Sequence, residues 1–367
     1  MKVLGIETSC DECAAAVVEN GLVLSNVVST QIPFHAKYQG VVPEIASRMH
    51  IQWIYGVADR ALKDGGLKSQ DVEGVAVTAH PGLLGSLLVG LHFAKAFAWA
   101  RDIPYIGVDH LLAHLYAARL RLKETEDTTA YPEYPFLGLL VSGGHSAICR
   151  VDDFDRVSVL GTTIDDAVGE AFDKVAKFYG FGYPGGVAID TLAQTGDSGA
   201  FKFPMPNLYK KGKDGKDHSY DFSYSGLKTA VVHQLEQFRV KKPEAGSGAP
   251  PPETPASLAP SGKEAADIAA SFQKTAIDIL LRGLFRAADD TGITTVVAGG
   301  GVAANSYLRA RLAEEKGLRT IFPPLELCGD NGAMVAGIGE RYLLRGDRSA
   351  LSETASARVK AFRKHYP

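Results

Sequence analysis

Residues 136–160 read FLGLLVSGGHSAICRVDDFDRVSVL, and this stretch predicts the local fold. An apolar run over 136–141 is followed by a polar turn over 142–146 that holds two glycines. Apolar residues return over 147–151 and again over 157–160. Short apolar runs separated by turn-forming residues are typical of consecutive antiparallel strands. The sequence therefore predicts a three-stranded meander here.

The amino terminus repeats this pattern. Apolar runs lie over 3–6, 14–18 and 22–24, with a polar turn over 7–12 and the turn pair Asn20-Gly21 between them. Two meanders of the same design in one chain indicate two related halves.

Each half then continues with a strand, a turn and a helix. In the first half, residues 74–78 predict a strand that leads into a long apolar helix. In the second half, 295–298 predict a strand, 299–301 a glycine turn, and 303–315 a helix. We therefore expect an α/β protein with two similar lobes and a ligand cleft between them. We place the lobes at residues 1–130 and 131–367, and expect the last helix to pack back on the first lobe.

The composition limits the classes of function and the cellular location that fit this chain. With 39 Lys and Arg against 42 Asp and Glu, the net charge is −3, so a nucleic-acid contact would need a local patch or a partner. Neither a signal peptide nor a membrane span is expected. The cysteines, Cys10, Cys13, Cys149 and Cys328, do not form a disulfide pattern for a chain of this size, which favours a cytoplasmic location. A proline-rich stretch, 241–263, predicts a flexible surface insertion.

Glycine is abundant, at 39 of 367 residues, and much of it lies in three turns over 141–145, 183–186 and 298–301. Glycine allows backbone N–H groups to approach phosphate oxygens, and a helix that begins after such a turn favours an anion. The turns favour a nucleotide site. The motifs of a P-loop and of a dinucleotide-binding fold are absent.

A histidine pair begins a predicted helix over 110–122. His110 and His114 are one helical turn apart, which suits a divalent metal. Asp330, in an acidic turn before a small-residue helix, is the best third ligand. The same spacing also fits two surface histidines on an amphipathic helix. Leu111 replaces the glutamate of the H-E-x-x-H motif, which disfavours a protease.

Other polar residues leave alternatives open. Carboxylates at turns, including Asp11, Glu12, Asp173 and Asp190, can hold a metal, a ribose hydroxyl or an attacking group. Lysines and aromatic residues alternate between positions 201 and 228, a composition that suits RNA contact but equally a soluble loop. The lysines are Lys202, Lys210, Lys211, Lys213, Lys216 and Lys228, and the aromatic residues are Phe201, Phe203, Tyr209, Tyr220, Phe222 and Tyr224.

Taken together, the sequence resembles a family of tRNA-modifying threonylcarbamoyltransferases once described as glycoproteases, in its bacterial form. The resemblance covers nearly the whole chain in order. The matching stretches are GIETSCDE (5–12), VVPEIASRMH (41–50), TAHPGLLGSLLVG (78–90), GVDHLLAH (107–114), LLVSGGH (139–145), DDAVGEAFDKVAK (165–177), YPGG (183–186), DFSYSGLKTAV (221–231), VAGGGVAAN (297–305) and CGDNGAMVA (328–336).

The resemblance implies a duplicated actin-like and Hsp70-like fold, shared with sugar kinases (the ASKHA fold). It implies an acyltransferase that moves the threonylcarbamoyl group of threonylcarbamoyl-adenylate to the N6 amine of the adenosine beside the anticodon, in tRNAs that read codons beginning with adenine. AMP is the second product. The protein would act in the cytoplasm, without a membrane.

The resemblance also implies site residues. One divalent metal, Fe²⁺ or Zn²⁺, would be held by His110, His114 and Asp330. Glu12 and Asp11 are candidate catalytic carboxylates. The adenylate would be bound by Leu140, Val141, Ser142, Gly143, Gly144, Asp173, Gly186, Asp190 and Asn305.

The implied partners are tRNA, a shorter inactive paralogue that forms a heterodimer, and a small P-loop ATPase. Two alternatives remain at this point. One is a small-molecule kinase of the same fold, which would not need the histidine pair. The other is a non-catalytic, nucleotide-dependent subunit of a tRNA-modification complex.

Overall fold

A computed structural model describes residues 1–38, 40–124, 131–208, 215–240, 260–358 and 364. Within these residues, strands form two sheets of five strands each. The first sheet consists of β1 (Lys2–Glu7), β2 (Glu12–Glu19), β3 (Leu22–Thr30), β4 (Gly74–His80) and β5 (Tyr105–Asp109). The second consists of β6 (Phe136–Val141), β7 (Ser146–Asp153), β8 (Arg156–Thr162), β9 (Thr295–Gly299) and β10 (Arg319–Ile321).

The two sheets share one topology. Their strand orders are β3-β2-β1-β4-β5 and β8-β7-β6-β9-β10. In each sheet the first three strands are antiparallel and the last two join in parallel. The predicted meanders and the predicted duplication of an α/β unit are therefore confirmed.

Helices connect and cover the strands. They are α1 (Ile32–His35), α2 (Pro43–Asp64), α3 (Leu84–Arg101), α4 (His110–Tyr116), α5 (Val168–Tyr179), α6 (Gly185–Ala193), α7 (Ser225–Val240), α8 (Gly262–Thr291), α9 (Ser306–Glu314) and α10 (Gly332–Arg345).

Two predicted helices differ in length. The helix expected over 110–122 ends at Tyr116 and continues as a short 3₁₀ turn, after which Leu120 is extended. The helix expected over 303–315 begins only at Ser306. The Asn305 side chain caps it by accepting a hydrogen bond from the Leu308 backbone, so the chain before it forms a separate 3₁₀ turn.

Close backbone contacts hold the last helix against the first sheet. Helix α10 packs on β1, β2 and β4. A Cβ atom on Gly5 would lie 2.2 Å from the Gly332 carbonyl oxygen, and one on Gly332 would lie 2.5 Å from the Ala16 nitrogen. Only glycine allows this approach, so these two positions fix where α10 begins.

Helix α4 lies at the seam between the two sheets, because it contacts β5, β6, β9 and α10. A Cβ atom on Gly299 would lie 2.6 Å from the His114 carbonyl oxygen. The last glycine of β9 therefore allows the helix with the histidine pair to rest against the second sheet.

Two predictions fall partly or wholly outside the described residues. The proline-rich insertion over 241–263 is described only from residue 260, and the lobe boundary at residue 130 lies beside the undescribed residues 125–130. Both stay predictions. Across the described parts of the chain, none of the helices combines the length and apolar character that crossing a bilayer requires.

Candidate functional site

Two clefts adjoin each other, and residues from both lobes line the larger one. The larger has a volume of about 530 Å³ and is lined by the turn after β1, the turn after β6 and the region before α10. The smaller, of about 300 Å³, lies between α5, α6 and the turn after β9. Gly143, Pro184 and Gly301 line both, so the two clefts are directly adjacent.

The histidine pair lies on the wall of the larger cleft. Asp109 caps α4, since its Oδ1 accepts hydrogen bonds from the Leu111 and Leu112 backbone at 2.8 and 3.2 Å. His110 is 8% exposed and His114 is 0% exposed. The alternative of two surface histidines is therefore wrong. Every residue of α4 is buried, so the helix has no exposed face, and the spacing of the two histidines alone does not reveal this.

Asp330 faces both histidines. Its Oδ1 lies 3.1 Å from His114 Nε2 and 3.5 Å from His110 Nε2. One ligand atom from each of the three residues lies within 4.8 Å of the others. Asn331 caps α10 by accepting from the Met334 backbone, which fixes the turn that carries Asp330. Two imidazole nitrogens and a carboxylate oxygen suit Zn²⁺ or Fe²⁺, so the donor set fits a divalent metal.

Charge shapes this cluster. Burial lowers the pKa of His110, but Asp330 and Glu7 outweigh it and raise the pKa to about 9. Burial raises the pKa of Asp330, whereas the two histidines bring it down to about 2. Burial and the neighbouring His110 lower the pKa of His114. Burial, with His110 and His114 nearby, lowers the pKa of His145 to about 4.

Asp11 and Glu12 line the same cleft. Burial, Asp330 and Asp11 together raise the pKa of Glu12 to about 9. Glu12 also accepts a hydrogen bond from Thr30 Oγ1 at 3.1 Å. The concentration of carboxylates at one place therefore favours the protonated form of Glu12 unless a positive charge offsets it.

The smaller cleft gathers most of the residues expected to bind an adenylate. Asp173, Gly186, Asp190 and Asn305 line it, and Gly143 joins it to the larger cleft. Asp173 accepts a hydrogen bond from the Gly185 backbone at 2.7 Å, which supports the start of α6. Burial raises the pKa of Asp173.

Asp190 is held in place by α9. Its carboxylate accepts from Ser306 Oγ at 2.6 Å, from the Ser306 backbone at 3.2 Å and from Asn305 Nδ2 at 3.3 Å. Asn305 Nδ2 also donates to Gln273 Oε1 on α8 at 2.9 Å. Three helices thus fix one carboxylate at the wall of the cleft.

The turn after β6 divides by position. Ser142, Gly143 and Gly144 line the larger cleft. Leu140 and Val141 are fully buried strand residues, and their side chains pack in the core. Within residues 140–144, only the turn residues Ser142, Gly143 and Gly144 therefore face the larger cleft.

Sequence reasoning missed several polar residues of the site, among them Glu7, Thr78, His145 and Gln273. Each lies in or beside an apolar strand, helix or turn, so no local pattern separates it from a structural residue. For Glu7 there was a usable signal, because a polar residue at the end of a buried strand, here β1, is a candidate site residue.

The predicted alternation of lysines and aromatic residues over 201–228 is described only in part. Phe222 and Tyr224, which alternate with lysines in the sequence, are buried in the core of the second lobe, so they do not form an RNA-contacting surface. Lys210, Lys211, Lys213 and Tyr209 lie outside the described residues. Cys13 is buried in β2, and all four cysteines are free thiols.

Comparison with known proteins agrees with this geometry. Residues 22–337 match the family model described as "TsaD: tRNA N6-adenosine threonylcarbamoyltransferase". A protein with that name from Treponema denticola is 56% identical over 365 residues, covering 99% of each chain. One from Borreliella burgdorferi is 47% identical over 367 residues, covering 100% of this chain and 96% of the relative.

Solved structures show the same fold at low identity. Full-length HypF in its phosphate- and nucleotide-bound form aligns with a TM-score of 0.55 at 16% identity, over 94% of this chain and 47% of that one. Component A of (R)-2-hydroxyglutaryl-CoA dehydratase from Acidaminococcus fermentans aligns with a TM-score of 0.51 at 13% identity, over 94% and 99%. The expected actin-like fold is thereby confirmed, and on the family match and the close relatives, the chain belongs to the tRNA N6-adenosine threonylcarbamoyltransferase family.

Proposed function

We propose that this protein transfers the threonylcarbamoyl group of threonylcarbamoyl-adenylate to the N6 amine of the adenosine beside the anticodon of tRNAs that read codons beginning with adenine, with release of AMP. The relatives that match over nearly their whole length carry the name of this activity. The observation that carries the proposal is that the two clefts adjoin each other at Gly143, Pro184 and Gly301. One substrate can therefore place its adenylate in the smaller cleft and its acyl group beside the histidine pair.

His110, His114 and Asp330 would hold one divalent metal, Fe²⁺ or Zn²⁺. Their nitrogen and oxygen atoms converge, and three protein ligands leave positions open for a substrate oxygen. When bound, the metal supplies positive charge that orients and polarises the threonylcarbamoyl moiety. It would also offset the carboxylates that now disfavour ionisation of Glu12.

The chain's own residues would bind and orient the adenylate. The backbone of Ser142, Gly143 and Gly144 would accommodate the phosphate, and Asp173 and Asp190 would accept hydrogen bonds from ribose hydroxyls. Gly186 and Asn305 complete this wall, and Leu140 and Val141 would support the turn from the core. Because a carbamoyl-phosphate anhydride is already activated, positioning is the main demand on the protein.

The transfer forms one bond and breaks one. The adenosine N6 bonds to the carbamoyl carbon, the bond from that carbon to the phosphate oxygen breaks, and the amine loses a proton. Glu12 and Asp11 are the candidate acceptors for that proton, because both line the cleft beside Asp330. No covalent intermediate on the protein is needed.

We also propose that the protein works in the cytoplasm with a shorter inactive paralogue and a small P-loop ATPase. A partner would supply positively charged surface for binding tRNA, because this chain has a net charge of −3. Ile51 and Tyr55 on α2 and Leu84 on α3 are 65, 74 and 50% exposed. Apolar side chains exposed on adjacent helices are typical of a protein-binding face.

Two alternatives differ from this proposal in what they require. A kinase of the same fold would use ATP and Mg²⁺ in the smaller cleft and would not need the histidines. A non-catalytic subunit would bind tRNA and partners without changing the nucleoside. A glycoprotease activity is disfavoured, because the position after His110, where a metalloprotease has its general base, is the fully buried Leu111.

A reconstituted reaction distinguishes these functions. We expect the metal-loaded protein, with its partners, to convert threonylcarbamoyl-adenylate and tRNA into modified tRNA and AMP in equal amounts. Mass spectrometry of tRNA nucleosides and chromatography of AMP measure the two products. Phosphorylation of a small molecule from ATP, or AMP release without modified tRNA, would contradict the proposal.

A further inference from the structure

A buried carboxylate lies behind the histidine pair and takes no part in the transfer described above. Glu7 ends β1, is 0% exposed, and lies beside Thr78, Ser9 and His110, which are also buried. Its Oε2 is 2.9 Å from His110 Nδ1, and the opposite ring nitrogen, Nε2, faces Asp330. Glu7 thus contacts the metal-binding residue from the side away from the metal position.

The other partners of Glu7 fix the direction of this hydrogen bond. The Ser9 backbone N–H donates to Oε1 at 2.5 Å, and Thr78 Oγ1 donates to Oε2 at 2.6 Å. An ionised carboxylate only accepts hydrogen bonds. His110 Nδ1 must therefore carry a proton toward Glu7, and when the ring is neutral, as metal binding requires, Nε2 is the atom that can bind a metal.

The two histidines differ in this support. His114 Nδ1 is buried and has no hydrogen-bond partner among the described residues. A metal-binding histidine usually donates its second ring N–H to a carboxylate, a carbonyl or water, and loss of that acceptor typically weakens metal binding 10- to 100-fold. Of the two histidines of the pair, only His110 has a carboxylate acceptor for its second ring nitrogen in the described structure.

We infer that Glu7 is a positioning residue, which holds His110 in the Nδ1-protonated tautomer so that Nε2 binds the divalent metal. Thr78 and the Ser9 backbone in turn hold Glu7. The inference rests on the proposed metal centre at His110, His114 and Asp330. It assigns a role to the glutamate of the GIETSC stretch that the ligand set alone does not explain.

The Glu7→Gln variant tests the inference because it keeps the shape and removes one acceptor. The Ser9 N–H can only donate, whereas the Thr78 hydroxyl can also accept. The amide NH₂ is therefore expected to take the place of Oε2 and donate to His110 Nδ1. The proton of His110 then moves to Nε2, where it blocks the metal.

We expect the Zn²⁺ affinity of Glu7→Gln, measured by competition with a chelator at fixed pH, to be about 10- to 100-fold weaker than wild type. In the metal-free protein, at a pH at which the His110 ring is neutral, ¹⁵N NMR should show the proton on Nδ1 in wild type and on Nε2 in Glu7→Gln. An affinity within about twofold of wild type, or an unchanged tautomer, would overturn the inference. If Glu7→Gln does not fold, Glu7→Asp, which withdraws the carboxylate from His110, should also weaken Zn²⁺ binding, and an unchanged affinity would overturn it.

Two further variants make the result specific. Glu340→Gln changes another buried carboxylate, which accepts from the Asn20 and Gly21 backbone at 2.7 and 3.0 Å, and should leave Zn²⁺ affinity unchanged. An equal loss in Glu340→Gln would overturn a specific role for Glu7. His114→Ala should lose Zn²⁺ affinity whether or not Glu7 matters. If His114→Ala binds Zn²⁺ like wild type, the metal centre itself fails and the inference on Glu7 fails with it.

Discussion

Replacing His110 or His114 with alanine is expected to lower transfer to tRNA by about 10³-fold or more and to reduce the bound metal. Each histidine supplies one of the three converging ligand atoms, and no other described group of histidine, cysteine or acidic residues forms a comparable cluster. A metal that polarises a substrate oxygen contributes several kcal/mol to the transition state, and each 1.4 kcal/mol is a factor of about ten. Elemental analysis and single-turnover transfer with threonylcarbamoyl-adenylate measure the two effects.

His92→Ala is the matched control. His92 lies on α3, and its ring contacts only the Leu88 carbonyl oxygen among the contacts described, so activity and metal content should stay at the wild-type level. His114 is fully buried, so its replacement can also destabilise the protein. Thermal unfolding of each variant shows whether a loss of activity comes from lost metal binding or from lost stability. Folded variants that keep both the metal and the transfer activity would exclude the metal centre at these histidines.

Asp190→Ala is expected to weaken binding of AMP by about 10- to 100-fold. The carboxylate lies on the wall of the smaller cleft, where it would accept a hydrogen bond from a ribose hydroxyl. A hydrogen bond to a charged group contributes about 1.5–3 kcal/mol, which corresponds to this range of affinities. Isothermal titration calorimetry with AMP measures the change, while Zn²⁺ affinity should remain at the wild-type value.

Ser306→Ala serves as the control for this effect. It removes the hydroxyl that donates to Asp190 Oδ1 at 2.6 Å but leaves the carboxylate and its hydrogen bond from the Ser306 backbone in place. We expect a much smaller loss of AMP affinity than in Asp190→Ala. An Asp190→Ala variant that is folded and binds AMP as tightly as wild type would contradict the assignment of the smaller cleft to the nucleotide.

The regular parts of the fold could be predicted because each strand carries its own signal. The apolar run of β6 and the glycine turn after it specify their structure locally, and the same holds for β1 and β9. Helix ends were less predictable. The Asn305 cap that delays α9 and the early end of α4 at Tyr116 depend on hydrogen bonds and packing that local periodicity does not encode.

The site could be predicted in part for the same reason. His110 and His114 share one helix, so their spacing already places them side by side. The contact of His114 with Asp330 joins residues 216 apart in the sequence, and the contact of His110 with Glu7 joins residues 103 apart. Long-range contacts of this kind depend on how α4, α10 and β1 pack together, and no local pattern reports them.

The most direct test of the central claim is nucleoside analysis of tRNA from cells depleted of this protein. We predict that threonylcarbamoyl-adenosine falls as the protein is lost, while other modified nucleosides keep their levels. Expression of the wild-type chain should restore it, and expression of the His110→Ala variant should not. Unchanged threonylcarbamoyl-adenosine after complete depletion would contradict the proposed function.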